Sequence, residues 1–231
     1  MRQIRRSADF VCKRARLLLS WGPTAIYWGT AANRPYNNAP FGRPRLDADG
    51  GRGGKKMDLQ KFKKLVHYVC WRCASDPTKL GAVKLNKILW FADAAHYYAT
   101  GKAMTGVRYV RRQYGPVPAP ILPVLRELEE EGKLTIQDAK FHGLAKKEYI
   151  IHQPADESFL SPDERTLVEE IIEFVCNKHT AKSVSNATHN SVWEVAVDGE
   201  TIPYFTVFVR PGKITEEDRK WAYAQLAGAH A

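Results

Sequence analysis

Residues 84–118, KLNKILWFADAAHYYATGKAMTGVRYVRRQYGPVP, decide how this chain is read. The first part predicts a helix from about Gly81 to Ala99, with Val83, Ile88, Leu89, Ala92 and Ala95 near its inner face and Gly101 as its stop. Val107-Arg108-Tyr109-Val110-Arg111 then alternates with the period of a strand. Gly115-Pro116-Val117-Pro118 reads as a turn, and Pro118 or Pro120 opens the next helix. That helix is expected to face Ile121, Leu122, Leu125 and Leu128 inward and to close at Gly132. Helices and a short strand thus alternate without the repeated βαβ order of a parallel sheet.

The flanks extend the same pattern. Upstream, Asp58 can cap a helix whose stripe is Leu59, Phe62, Leu65, Val66, Val69, Cys70 and Cys73, ended by Asp76-Pro77. Downstream, Leu134-Thr135-Ile136 and Glu148-Tyr149-Ile150-Ile151 flank a Gly143 loop and read as a hairpin. Ser161-Pro162-Asp163-Glu164 is a capping box with Pro at the first helical position. It opens a helix carrying Leu167, Val168, Ile171, Ile172 and Val175. A shorter helix is expected from Ala181 to His189 behind Thr180, and a last one from Thr215 to about Leu226. The expected fold class is α+β: a mainly helical single domain of about five to six helices with a short antiparallel hairpin, spanning 57–231.

Composition is that of a globular protein, with 44% hydrophobic and 26% charged residues. Nothing approaches the roughly 18 apolar residues of a membrane span, and Leu17-Leu18-Leu19 is too short for a secretory core. Four cysteines are too few for a disulfide scaffold and suit a reducing compartment, so a soluble cytoplasmic protein is expected. The net charge of +10 would ordinarily suggest nucleic acid. Residues 1–56, however, hold nine Arg and three Lys against three Asp, a net of +9, which leaves +1 for residues 57–231. A near-neutral body lacks the electrostatic footprint that phosphate backbones require.

Residues 1–56 show no sustained period and are dense in Pro and Gly, so apart from a short helix over 7–19 they read as disordered. One reading makes them a basic arm for nucleic acid or anionic lipid. The other notes that Arg and Gly codons can spell a purine-rich ribosome-binding site, and that Arg52-Gly53-Gly54 lies two codons ahead of Met57. On that reading translation begins at Met57.

Candidate chemistry is sparse. Cys70-Trp71-Arg72-Cys73 has no second ligand pair for zinc and no βαβ setting for a redox motif, and both cysteines fall on an apolar stripe. Asp93 and His96 share a helical face, which fits either a base with its orienting carboxylate or a structural hydrogen-bonded pair. The Glu127, Glu129, Glu130 and Glu131 cluster is either a partner surface or a solvated face. Tyr109, Arg111, Arg112 and Tyr114 form an aromatic and basic patch of the kind enriched at protein interfaces. His189 and Trp193, set among Ser and Thr, suit a binding surface as well. No catalytic residue, cofactor or metal is expected.

The residues Lys84, Asn86, Asp93, His96, Gly101, Thr105-Gly106, Tyr109 and Tyr114-Gly115-Pro116, in this order and spacing, resemble the core motif of the SocA-like (Panacea) antitoxins, a family also named for the phage-associated GepA. Ser183–Trp193 and Gly199-Glu200-Thr201-Ile202-Pro203-Tyr204 are similar to its C-terminal motif. The resemblance implies a bacterial or phage antitoxin that neutralises a cognate toxin by direct binding, in some members as an adaptor to the ClpXP protease. It implies no catalytic residues. Lys84, Asn86, Asp93, His96, Gly115 and Pro116 would then be architectural or interface-forming. Nucleic acid is not a favoured partner. A regulator that binds its own operator through Arg108, Arg111 and Arg112 is the alternative, and a hydrolase built on Asp93, His96 and His189 is a third reading.

Overall fold

The computed structural model describes residues 57–141, 143–189 and 191–208. The helices expected over 7–19 and 215–226, and the disorder expected for 1–56, lie outside the described residues.

Helix α1, Leu59–Arg72, begins where Asp58 accepts a hydrogen bond from the Lys61 amide (2.9 Å). Its apolar stripe is buried as the spacing dictates, with Phe62, Leu65, Val66 and Val69 fully inaccessible. It stops at Arg72, four residues before the expected Asp76, because a separate 3-10 turn at Pro77–Lys79 has its own cap in the Asp76 carboxylate.

Helix α2, Ala82–Thr100, departs from the one-sided expectation. Leu85, Ile88, Leu89, Trp90, Ala92, Ala94 and Ala95 are all buried, and they point in every direction around the helix. α2 is the central post of the fold. It packs against α1, α4 (Pro162–Asn177), α5 (Ala181–Asn186), strand β2 (Gly115–Pro118) and the 3-10 turn Tyr204–Phe208. Gly101, at φ +74°, ends it in the left-handed conformation and donates its amide to Tyr97.

The segment Gly115–Pro118, expected as a turn, is strand β2, paired antiparallel with β1, Tyr109–Arg112. The turn itself is Gln113-Tyr114. Proline survives in β2 because a two-stranded hairpin leaves one edge without a donor requirement. Helix α3, Ile121–Glu130, buries Ile121, Val124, Leu125 and Leu128. Leu122 is 72% exposed, contrary to expectation, since it lies about 100° around the helix from Ile121. Strands β3, Leu134–Phe141, and β4, Leu144–Ile151, form the second hairpin; its outer ends are those expected, and both strands run further toward the Gly143 loop.

The Ser161 capping box is present in full, with Glu164 accepting from the Ser161 amide (3.0 Å) and Ser161 accepting from the Glu164 amide (3.2 Å). α4 then buries Leu167, Val168, Ile171, Ile172 and Val175. α5 keeps its Thr180 cap but ends at Asn186, and α6, Ser191–Val195, follows. The fold is mainly helical α+β with two small antiparallel hairpins around one core. Among the described residues, no helix is long and apolar enough to cross a membrane.

Candidate functional site

The motif residues divide into an inner group and an outer face. At the centre of the inner group is Asp93, wholly inaccessible on α2. Its carboxylate accepts from the Thr105 amide (2.6 Å), the Thr105 hydroxyl (2.6 Å) and the Tyr109 hydroxyl (2.9 Å). Tyr204, which donates to the Val107 carbonyl (2.5 Å), stacks on Trp90 beside it. One carboxylate thus pins the loop after α2 and strand β1, and Tyr204 of the 3-10 turn closes over them. Burial pushes Asp93 above the usual carboxylate range despite these donors.

His96 does not meet Asp93. Its Nδ1 donates to the Lys102 carbonyl (2.6 Å), and its Nε2 stands 3.7 Å from Glu164. The i,i+3 spacing put both on adjacent rows, but α2 turns Asp93 into the core and His96 toward α4. The acid–base dyad considered from spacing is therefore not formed. Tyr109, grouped from sequence with the surface patch, is only 1% exposed, so it belongs to the Asp93 network and is not a surface contact. Alternation along β1 sends Tyr109 inward while Arg112 remains outside.

Lys87, which sequence reasoning passed over, is the unusual member of the inner group. Its side chain is 1% exposed and its Nζ has no hydrogen-bond partner. Burial alone lowers its pKa to about 7. A sequence signal existed, since Lys87 falls between Asn86 and Ile88 on a helix expected to be amphipathic, but only the all-round burial of α2 makes it internal. Gly115 explains how the amine fits. A Cβ there would stand 2.1 Å from Lys87 Nζ and 2.4 Å from Thr188 Oγ1, and its φ is +100°. Pro116 beside it is buried. Lys84 donates to the Cys176 carbonyl (3.2 Å), tying α2 to α4, and the Asn86 Oδ1 is buried without a partner.

The outer face gathers three separate stretches of chain. The β1–β2 hairpin contributes Arg111, Arg112 and Tyr114. α5 and α6 contribute His189 and Trp193. The segment from Val197 to Ile202 runs beside β1, with Arg111 donating to the Glu200 carbonyl (2.7 Å) and Ile202 donating to that of Tyr109 (2.9 Å). The His189 and Trp193 rings stack in parallel at 3.6 Å, and the Arg111 guanidinium lies 4.5 Å from the indole centroid. Trp193 donates to the Arg112 carbonyl (3.1 Å), and Ser185 donates to that of Tyr114 (3.0 Å). Burial, with the charges of Lys87 and Arg111, lowers the His189 pKa, which favours the neutral ring in the stack. Arg112 pairs with Asp198 (2.6 Å). Tyr114, Val195 and Val197 are 55%, 82% and 72% exposed on these same elements. Such an arrangement offers rigid aromatic area and directed donors, which suits recognition rather than bond-making.

The Glu127–Glu131 cluster is engaged within the chain. Lys63 pairs with Glu127 (2.9 Å) and with Glu131, Lys133 pairs with Glu131 (2.7 Å), and Glu129 accepts from the Ile136 amide (2.7 Å). Cys70 and Cys73 are buried free thiols.

No curated protein and no solved structure matches the chain. Residues 85–194, from the first turn of α2 into α6, match the family described as antitoxin SocA-like, Panacea domain.

Proposed function

We propose that this chain is the antitoxin of a toxin–antitoxin pair, with residues 57–231 as its functional domain, acting in the cytoplasm by direct binding of a cognate toxin. The family match carries the reading. The outer face supports it: Arg111, Arg112, Tyr114, His189 and Trp193 are brought together from three stretches of chain, with exposed apolar neighbours. Burying such a patch against a partner follows the pattern of interface hot spots, in which Trp, Tyr and Arg carry most of the energy. Handing the toxin to a protease such as ClpXP is a finer form of the same role.

The competing reading is a self-repressing nucleic-acid-binding regulator using Arg108, Arg111 and Arg112. Asp198, 2.6 Å from Arg112 and 4.0 Å from Arg111, partly neutralises those charges, which weighs against it. Expression of each neighbouring gene alone and with this chain is the test. Toxicity relieved by co-expression, and no longer relieved by a folded Tyr114→Ala/Trp193→Ala protein, is the expected result. Failure of rescue for every adjacent gene overturns the antitoxin reading; rescue that survives the double substitution overturns the assignment of the face.

A further inference from the structure

Two cysteines from distant parts of the chain meet at the ends of α1 and α4. The Cys73 and Cys176 sulfurs lie 3.8 Å apart, 103 residues apart in sequence, and both are free thiols. They are 8% and 9% exposed, unlike Cys70 at 1%, because both line a cavity of about 100 Å³ whose mouth includes Arg72, Asp76, Lys79 and Asn177. A space of that size admits a molecule no larger than a few waters.

From this juxtaposition we infer that Cys73 and Cys176 form a peroxide-oxidisable dithiol, a modification site that closes into a disulfide between α1 and α4. The chemistry balances with hydrogen peroxide as the oxidant. The Cys176 sulfur attacks one peroxide oxygen, the O–O bond breaks, and the departing hydroxide takes a proton to leave as water. The resulting Cys176 sulfenic acid is attacked by the Cys73 sulfur, the S–O bond breaks, and the second hydroxide leaves with the Cys73 proton as water. Two thiols lose two electrons and peroxide gains them. A small thiol reverses the step.

The surroundings assign the roles. Cys176 is held below the usual thiol value by its hydrogen bond with Cys73, and further by the charges of Lys84 and Lys79. Cys73 is pushed up by the same bond and by burial, so it stays the protonated donor and the resolving thiol. Lys84, whose Nζ also holds the Cys176 carbonyl at 3.2 Å, therefore positions the attacking residue. The sulfurs must close by nearly 2 Å to reach bonding distance, a movement available at helix termini. This inference is independent of any toxin.

The experiment uses the full chain, treated with a few equivalents of hydrogen peroxide, quenched by alkylation under denaturing conditions and mapped by peptide mass spectrometry. The expected product is a Cys73–Cys176 cross-linked peptide, lighter by two hydrogens and released by dithiothreitol. It persists in the Cys12→Ala/Cys70→Ala protein and is accompanied by a rise of several degrees in melting temperature. Wild-type mapping suffices if a cysteine variant fails to fold. Recovery of both thiols unmodified, oxidation of Cys176 to a sulfinic acid without a cross-link, or a bond that involves Cys12 or Cys70 instead would overturn the inference.

Discussion

Replacing Lys87 by Met should stabilise the fold at pH 6 and remove a large part of its pH dependence. The amine is 1% exposed, lacks a hydrogen-bond partner, and titrates at about 7 in place of 10.5. Between those two values the unfolded chain holds a proton that the folded chain has released, so stability rises with pH through this window. Below the folded value the charged amine is carried into the core and the penalty is greatest. At about 1.36 kcal/mol per pKa unit, the wild-type protein should gain about 2.5 kcal/mol from this group between pH 6 and pH 9. Met keeps the length of the chain and carries no charge, so its protein loses that slope. Urea unfolding at half-unit steps from pH 6 to 9 measures both. Histidines lowered by burial, such as His67 and His179, also make stability rise with pH, but equally in both proteins, so they cancel in the difference; His189, which the Lys87 charge helps to lower, loses part of its own slope in the Met protein and adds to the expected difference. Parallel stability curves for the two proteins, or a Met variant less stable at pH 6, would refute the assignment of Lys87 as an unpaired buried amine.

Gly115→Ala places a methyl carbon 2.1 Å from Lys87 Nζ at a positive φ, and should cost about 2–3 kcal/mol in urea unfolding. Asp93→Asn leaves a buried group with one acceptor oxygen facing three donors, and should cost about 2–4 kcal/mol, read as a lower melting temperature. Ser161→Ala removes one arm of the α4 capping box and should cost about 1 kcal/mol, seen as a shifted urea midpoint without a change in slope. Trp193→Ala removes the ring that joins His189, Arg111 and the Arg112 carbonyl, and should weaken binding of the proposed toxin at least about tenfold by titration calorimetry while the protein stays folded.

Local signals carried far where the chain's own chemistry sets the backbone. The Asp58 and Thr180 caps, the Ser161–Glu164 box, the stripes of α1 and α4 and the left-handed Gly101 are each written within a few residues, and each stands where the sequence places it. Errors arose where a neighbour distant in sequence decides. Gly115–Pro118 looks like a turn until β1 gives its backbone partners. Residue type alone points Leu122 inward, but the helix phase set by Ile121, Val124 and Leu128 leaves it outside.

The candidate site divides in the same way. The sequence by itself supplied the residue types of the face, the motif that resembles the SocA-like family, and the concentration of charge in residues 1–56. Only the tertiary structure separated Tyr109 from Arg112, parted His96 from Asp93, stacked His189 on Trp193, and brought Cys73 to Cys176. The reason is the position of α2. A helix packed from every side cannot be told from an amphipathic one by its own polar residues, because the surfaces that bury Lys87 and Asp93 come from segments tens of residues away.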